Sequence, residues 1–156
     1  MKKSIKLDLS SVFAEMAISY KTTGNFTDMP VLSGNMDTNQ FLRKIWDADQ
    51  IEYREEFVLL MLNRRNKLIG WVKISSGGTA GTIADPKIIF QHALLSGCSS
   101  IILSHNHPSG SLKPSYADMA ITEKLVNAGR LLEIEVLDHV IMTADSSLSF
   151  KSEGLM

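Results

Sequence analysis

Apolar positions along this chain follow two different rhythms. In "MDTNQFLRKIWDAD", Phe41, Leu42 and Ile45 recur at helical spacing behind Asp37 and Gln40, which stand three residues apart as in a capping box, so a helix is predicted over about 38–48. "EEFVLLMLN" and "KLIGWVKIS" are instead near-continuous runs rich in Val, Ile and Leu, parted by the polar "RRN", which predicts a hairpin. "DPKIIFQHALLSG" carries Asp85 at the cap, Pro86 at the first helical position and Gly97 at the close, a second helix. "SSIILSH" reads as a buried strand, and "PSYADMAITEKLVNAG" as a third helix with Ser115 as cap and Gly129 at its end. "LEIEVLDHVIMT" is a strand and "SLSF" a short last one. Helices alternate with strands, so the predicted class is α/β or α+β, a mixed sheet flanked by helices in a single domain. Residues 1–36 form an N-terminal extension that is hard to read. "FAEMAISYK" fits a strand or a short helix, and "TTGNFTDMPVLSGN" is loop-like.

Composition narrows the class of function. A length of 156 residues with 44% hydrophobic positions is enough for one sizeable core without covalent staples. Cys98, the single cysteine, excludes an internal disulfide and a cysteine-rich zinc cluster, and reads as a small apolar residue at a strand start. The net charge of −1 lacks the basic excess expected of a protein that lives on phosphate contacts. The opening "MKKSIKLDLSSVF" has lysines like a signal peptide, but Lys6 and Asp8 break the apolar run, and no stretch reaches the length of a membrane span. A cytoplasmic protein without a membrane segment is expected.

The stretch "SHNHPSGSLKPSYADM" concentrates the chemistry. It follows a strand, in which residues i and i+2 project to one side, so His105 and His107 point together near the strand end. Pro108 stops the pairing, Gly110 permits a turn, and the chain returns to a helix whose first turn holds Asp118. Two imidazoles and one carboxylate suit a zinc ion and leave a fourth position for water, as in catalytic zinc sites. Local structure offers a competing explanation for part of this set. Asp118 stands three residues after Ser115, where a carboxylate serves the helix N-terminus. Capping accounts for Ser115 and Asp118 but not for the paired histidines. A proton acceptor must come from elsewhere, and "REEF" offers Glu55 and Glu56, which face opposite sides of a strand; periodicity does not choose between them.

His105-x-His107, seven residues, Ser115, two residues and Asp118 resemble the JAMM (MPN-plus) zinc metalloprotease motif. The fuller "HNHPSG…KPSYAD" followed by "LDHVIM" resembles its bacterial RadC branch, and the likeness covers residues 37–156. The resemblance implies an MPN-like (JAB) fold, Zn²⁺ held by His105, His107 and Asp118, and hydrolysis of a peptide or isopeptide bond. The family's Glu-x-Phe pattern matches Glu55-Glu56-Phe57 and selects Glu55 to take a proton from the zinc-activated water and return it to the leaving amine. Ser115 would hold the oxyanion through its hydroxyl. Position 106 is Asn, which fits the RadC branch, where deubiquitinating members commonly have Ser or Thr. RadC proteins commonly carry a helix-hairpin-helix region ahead of this domain; residues 1–36 are too short for one, which leaves the family's DNA-repair label with little support here.

Other candidates carry less. His139 in "LDHVI" reads first as a histidine satisfied within a sheet, and second as support for a metal ligand. His92 sits among apolar neighbours and reads as packing, as do Trp46 and Trp71, in core or interface. "SSGGTAGT" lacks the lysine and hydroxyl ending of a phosphate loop and reads as a loop bordering the site. A zinc deaminase is excluded, since neither His-x-Glu nor Pro-Cys-x-x-Cys occurs. The leading reading is a zinc metallopeptidase acting on a peptide or protein. The alternatives are a DNA-associated repair or nuclease factor, which the charge does not support, and a non-catalytic MPN-like interaction module, against which the intact ligand set stands.

Overall fold

A computed structural model describes residue 21, residues 24–78 and residues 84–156. The segment "FAEMAISYK", apart from Lys21, and positions 79–83 of the Gly-rich loop lie outside them. Among the described residues the order is a 3₁₀ turn (Phe26–Asp28), α1 (Asn35–Ile45), β1 (Glu56–Leu62), β2 (Leu68–Ser76), α2 (Pro86–Ser96), β3 (Ser100–Asn106), α3 (Tyr116–Leu132), β4 (Glu135–Met142) and β5 (Ser147–Ser149). The strands form one sheet in the order β2-β1-β3-β4-β5. β1 is antiparallel to both β2 and β3, β3 and β4 run parallel with α3 as the crossover, and β5 returns antiparallel to β4. The expected mixed sheet flanked by helices is the architecture found, and no described helix is long and apolar enough to cross a membrane.

The unbroken apolar runs have a direct cause. β1 and β3 are central strands covered on both faces, and every one of their residues is buried. Their period of two sorts the side chains into two cores. Phe57, Leu59, Met61, Ile101 and Leu103 pack with Ile89, Phe90 and Ala93 of α2 and Leu125 of α3. Val58, Leu60, Leu62 and Ile102 pack on the other face with Leu42 of α1 and with Trp46. Packing also extends ahead of residue 37, since Leu32 is buried in this second core and Val31 forms a β-bridge with Lys67.

Three helix ends differ from expectation, and one is the close of α1 at Ile45, three residues short of 48, where Trp46 leaves the helical region (ψ 127°). α1 begins at Asn35, three residues before the expected start, because Asp37 is not its cap. The Asp37 carboxylate instead accepts from the backbone N–H and the hydroxyl of Ser33, and Gly34 occupies the cap. α3 passes through Gly129 to Leu132 and ends on Glu133 in the left-handed region, φ 57°. Gly129 is required by proximity rather than by a turn. A Cβ there would collide with the backbone oxygen of Ile134 and lie 3.3 Å from Val136 Cγ2, so a hydrogen is what lets α3 lie down on the start of β4. By contrast, Asp85 accepts from the Lys87 N–H and Gly97 (φ 64°) closes α2 as the sequence indicates. Trp46 joins the core, while Trp71 is 44% exposed.

Gly129→Ala is therefore expected to destabilise the fold by about 1–3 kcal/mol, the usual cost of overpacking, despite alanine's better helix propensity. Urea unfolding measures this, and an unchanged or raised midpoint would contradict the close approach of α3 to β4.

Candidate metal centre

The alternation that builds the two cores also builds the site. His105 is the last-but-one residue of β3 and shares its face with Ile101 and Leu103, toward α3. The His107 N–H donates to the Met142 carbonyl at 2.9 Å, so β3 keeps its pairing with β4 one residue past Asn106 and His107 falls on the same side as His105. Pro108 then ends the strand, and Gly110 (φ 75°) donates back to the His107 carbonyl, turning the chain toward α3.

α3 begins with a complete capping box. The Asp118 N–H donates to Ser115 Oγ at 3.1 Å, and the Ser115 N–H donates to Asp118 Oδ2 at 2.7 Å. This anchoring does not consume Asp118. Its Oδ1 lies 3.2 Å from His105 Nε2, and its Oδ2 lies 3.5 Å from His107 Nε2. The two Nε2 atoms are 3.0 Å apart. The two short carboxylate contacts go to different oxygens, so both imidazoles face the one carboxylate, and one ligand atom from each of the three residues lies within 4.8 Å of the others.

Hydrogen-bond direction at His107 suits a cation. His107 Nδ1 lies 2.7 Å from the Ser111 carbonyl oxygen, which can only accept, so Nδ1 carries a hydrogen and, in the neutral ring, Nε2 is the inward lone pair. Half-burial alone would raise the Asp118 carboxyl, but the bonds it can accept from the imidazoles in their protonated forms, and from Ser115, hold it far below the usual carboxylate range. The bond to Asp118 raises the His107 imidazole against its burial, and the Ser111 carbonyl and the charges of Asp118 and Glu55 add to the rise. Both shifts follow from the closeness of the imidazoles and the carboxylate. His105, His107 and Asp118 could therefore hold a metal ion.

The two glutamates separate cleanly. Glu56 is 2% exposed, with Arg54 Nε at 3.1 Å and Lys73 Nζ at 2.8 Å, and accepts from Ser76 Oγ at 3.2 Å. It is a structural carboxylate that ties β1 to β2. Glu55 is one residue earlier, so it takes the side shared by Phe57 and His105, where Phe57 stacks parallel to the His105 ring. Its charge acts on His107, as that imidazole's raised affinity for protons reflects. Backbone bonds hold Glu55 to Gly77 and Gly78 at the end of β2. Ser115 is exposed at the mouth of the site, and its hydroxyl accepts in the cap, which leaves its own proton for another acceptor.

Three further residues support the centre. Asn106, between the two histidines, faces away from them and is fully buried. Its amide oxygen accepts from the Glu56 N–H at 2.7 Å, and its nitrogen donates to the Ile51 and Arg54 carbonyls at 2.6 and 2.8 Å. The residue between the ligands thus clamps the turn that presents Glu55. His139 is buried and finds side-chain partners, as its first reading has it, and one of those partners is the candidate ligand His105. A register shift in the β3–β4 pairing between Ile101 and Ile102 brings His139 beside Leu103, and its Nε2 lies 2.8 Å from His105 Nδ1. Burial, and then the neighbouring His105, push its imidazole well below the usual range, so the ring is neutral. Thr122 touches His139 Nδ1 from α3 at 2.6 Å. Sequence reading passed over Asn106 and Thr122 in these roles. The available signals were strand alternation for Asn106 and the four-residue step from Asp118 for Thr122. His92 is half-buried on α2, in keeping with packing.

Comparison with known proteins agrees with this geometry. A family model described as the RadC-like JAB domain matches residues 33–155. A UPF0758 protein of Syntrophomonas wolfei is 35% identical over 147 residues, covering 94% of this chain and 63% of that protein. A UPF0758 protein of Flavobacterium johnsoniae is 48% identical over 101 residues, covering 65% of this chain and 44% of that one. The chain spans about half the length of such relatives.

Asn106→Ala is expected to cost at least about 2 kcal/mol of stability, since it strips partners from one buried N–H and two carbonyls. Denaturant unfolding checks this; a loss below half a kcal/mol would show that the clamp carries no weight.

Proposed function

Because the chain belongs to the RadC-like JAB domain family, we propose that it is a zinc-dependent hydrolase that cleaves a peptide or isopeptide bond in a peptide or protein. The observation that carries this reading is the triangle of His105, His107 and Asp118, with Glu55 on the same side of the sheet. Two neutral nitrogens and one carboxylate make a borderline-soft donor set that suits zinc and leaves room for a fourth ligand. A zinc ion held there would acidify water enough to supply hydroxide near neutral pH.

The chain's own residues supply the remaining roles. Glu55 accepts the proton of the attacking water and returns it to the departing nitrogen. Its anchoring by the ends of β1 and β2 keeps the carboxylate near the ligands without a new ordering cost at each turnover. Ser115 donates its hydroxyl proton toward the oxyanion that forms on the substrate carbonyl. The free, buried Cys98 is in keeping with a cytoplasmic setting. The net charge of −1 gives no support to a nucleic-acid substrate.

Cleavage of a peptide library by zinc-loaded protein, with chelator as control, tests the reading. Once a cleaved sequence is found, Glu55→Gln is expected to lower kcat by at least about 10²-fold while keeping the metal. Asp118→Ala should lose both metal and cleavage. Full activity of Glu55→Gln would remove Glu55 from its role, and chelator-insensitive cleavage would overturn the hydrolase reading as stated.

A further inference from the structure

Four residues close a ring through the candidate metal centre, linked by their side chains and by the Asp118 backbone carbonyl. Thr122 is 2% exposed and sits one helical turn after Asp118 on α3. Its Oγ1 lies 2.6 Å from the Asp118 backbone carbonyl and 2.6 Å from His139 Nδ1. His139 Nε2 lies 2.8 Å from His105 Nδ1, and His105 Nε2 lies 3.2 Å from Asp118 Oδ1. A hydroxyl has one hydrogen to give. The Asp118 carbonyl can only accept, so the Thr122 proton goes there, and the hydroxyl must accept from His139. His139 Nδ1 therefore carries a hydrogen; the ring is fully buried and its side-chain partners are Thr122 and His105, with no carboxylate bonded to it to offset a charge, so that hydrogen is its only one. Its Nε2 is then a lone pair, which accepts from His105 Nδ1. The hydrogen of His105 is thereby kept on Nδ1, and its Nε2 lone pair faces His107 and Asp118.

We infer that Thr122, acting through His139, sets the His105 tautomer and so holds the centre ready for metal; Thr122 and His139 are positioning residues. A threonine in a helix often donates to the carbonyl four residues back with no further consequence. Here the same hydroxyl also receives a buried imidazole, and that second contact transmits the direction. The arrangement joins two of the three ligands, because Thr122 holds the backbone of Asp118 while His139 orients the ring of His105. Phe57 and Phe150 flank the two rings and limit their rotation, with Phe150 centred 4.7 Å from His139 and Phe57 parallel to His105. Outer partners of this kind commonly change metal affinity by 10–100-fold when removed.

The inference rests on the metal-site reading, and one set of measurements separates the two. Thr122→Val keeps the shape and removes the hydroxyl, whereas Thr122→Ser keeps the hydroxyl. Zinc affinity is measured by competition with a chromophoric chelator, and the His105 tautomer by nitrogen-15 imidazole spectra of the metal-free protein. Wild type and Thr122→Ser should bind zinc within about threefold of each other, with the His105 hydrogen on Nδ1. Thr122→Val should bind at least tenfold more weakly. In that variant the His105 hydrogen should move to Nε2, toward Asp118 Oδ1, where zinc must displace it. Equal affinity and an unchanged tautomer in Thr122→Val would overturn the inference while leaving the metal site standing. A His105 hydrogen on Nε2 in metal-free wild type would overturn it without any variant. Absence of zinc uptake by wild type would instead overturn the metal-site reading itself.

Discussion

Strand β3 runs between β1 and β4 with both faces covered, and its period of two divides its last residues between two tasks. His105 and, one step beyond the strand, His107 project toward α3, where Asp118 meets them. Ser104 and Asn106 project the other way: the Ser104 hydroxyl donates to the Val140 carbonyl, and Asn106 holds the 51–56 turn. A one-residue slip of this strand would exchange the two sets and dismantle both at once. The side of the sheet that Glu55 and Glu56 each take depends on the same register, because β1 is paired to β3 with Phe57 opposite His105.

The local and the chemical explanations of Asp118 hold together. Oδ2 completes the capping box of α3, and Oδ1 faces His105. The cap fixes the carboxylate's rotamer from the side of the helix, so the ligand is held in place before any cation arrives. The same economy applies to Thr122, whose ordinary helical hydrogen bond sits within reach of a buried imidazole. Rigid elements on both sides, a central strand and the first turns of a helix, are suited to presenting ligands at constant separation.

Much of this was legible in the chain itself. The apolar runs at 57–62 and 101–103 marked strands, and Asp85, Pro86 and Gly97 marked α2, because those signals are local. His105, His107 and Asp118 were legible because strand period and helix start are short-range rules. Other features depend on distant parts of the chain. The start of α1 turned on whether Asp37 would cap the helix or accept from Ser33. The continuation of α3 through Gly129 turned on the approach of Ile134, and the position of His139 turned on a register shift between strands separated by a whole helix. Glu55 and Glu56 could not be told apart by composition, since their difference is made by Lys73 and Arg54 on one side of the sheet and by His105 and His107 on the other. The Asn106 clamp was hidden for the same reason.

The central claim is that the triangle of His105, His107 and Asp118 exists to hold a metal ion. Elemental analysis of protein purified without added metal or a metal-binding tag tests it most directly, with the double variant His105→Ala/His107→Ala as control. About one zinc per chain in the wild type, absent from the variant, is the expected result. A wild type that carries no metal, and takes none up when zinc is offered, would contradict it.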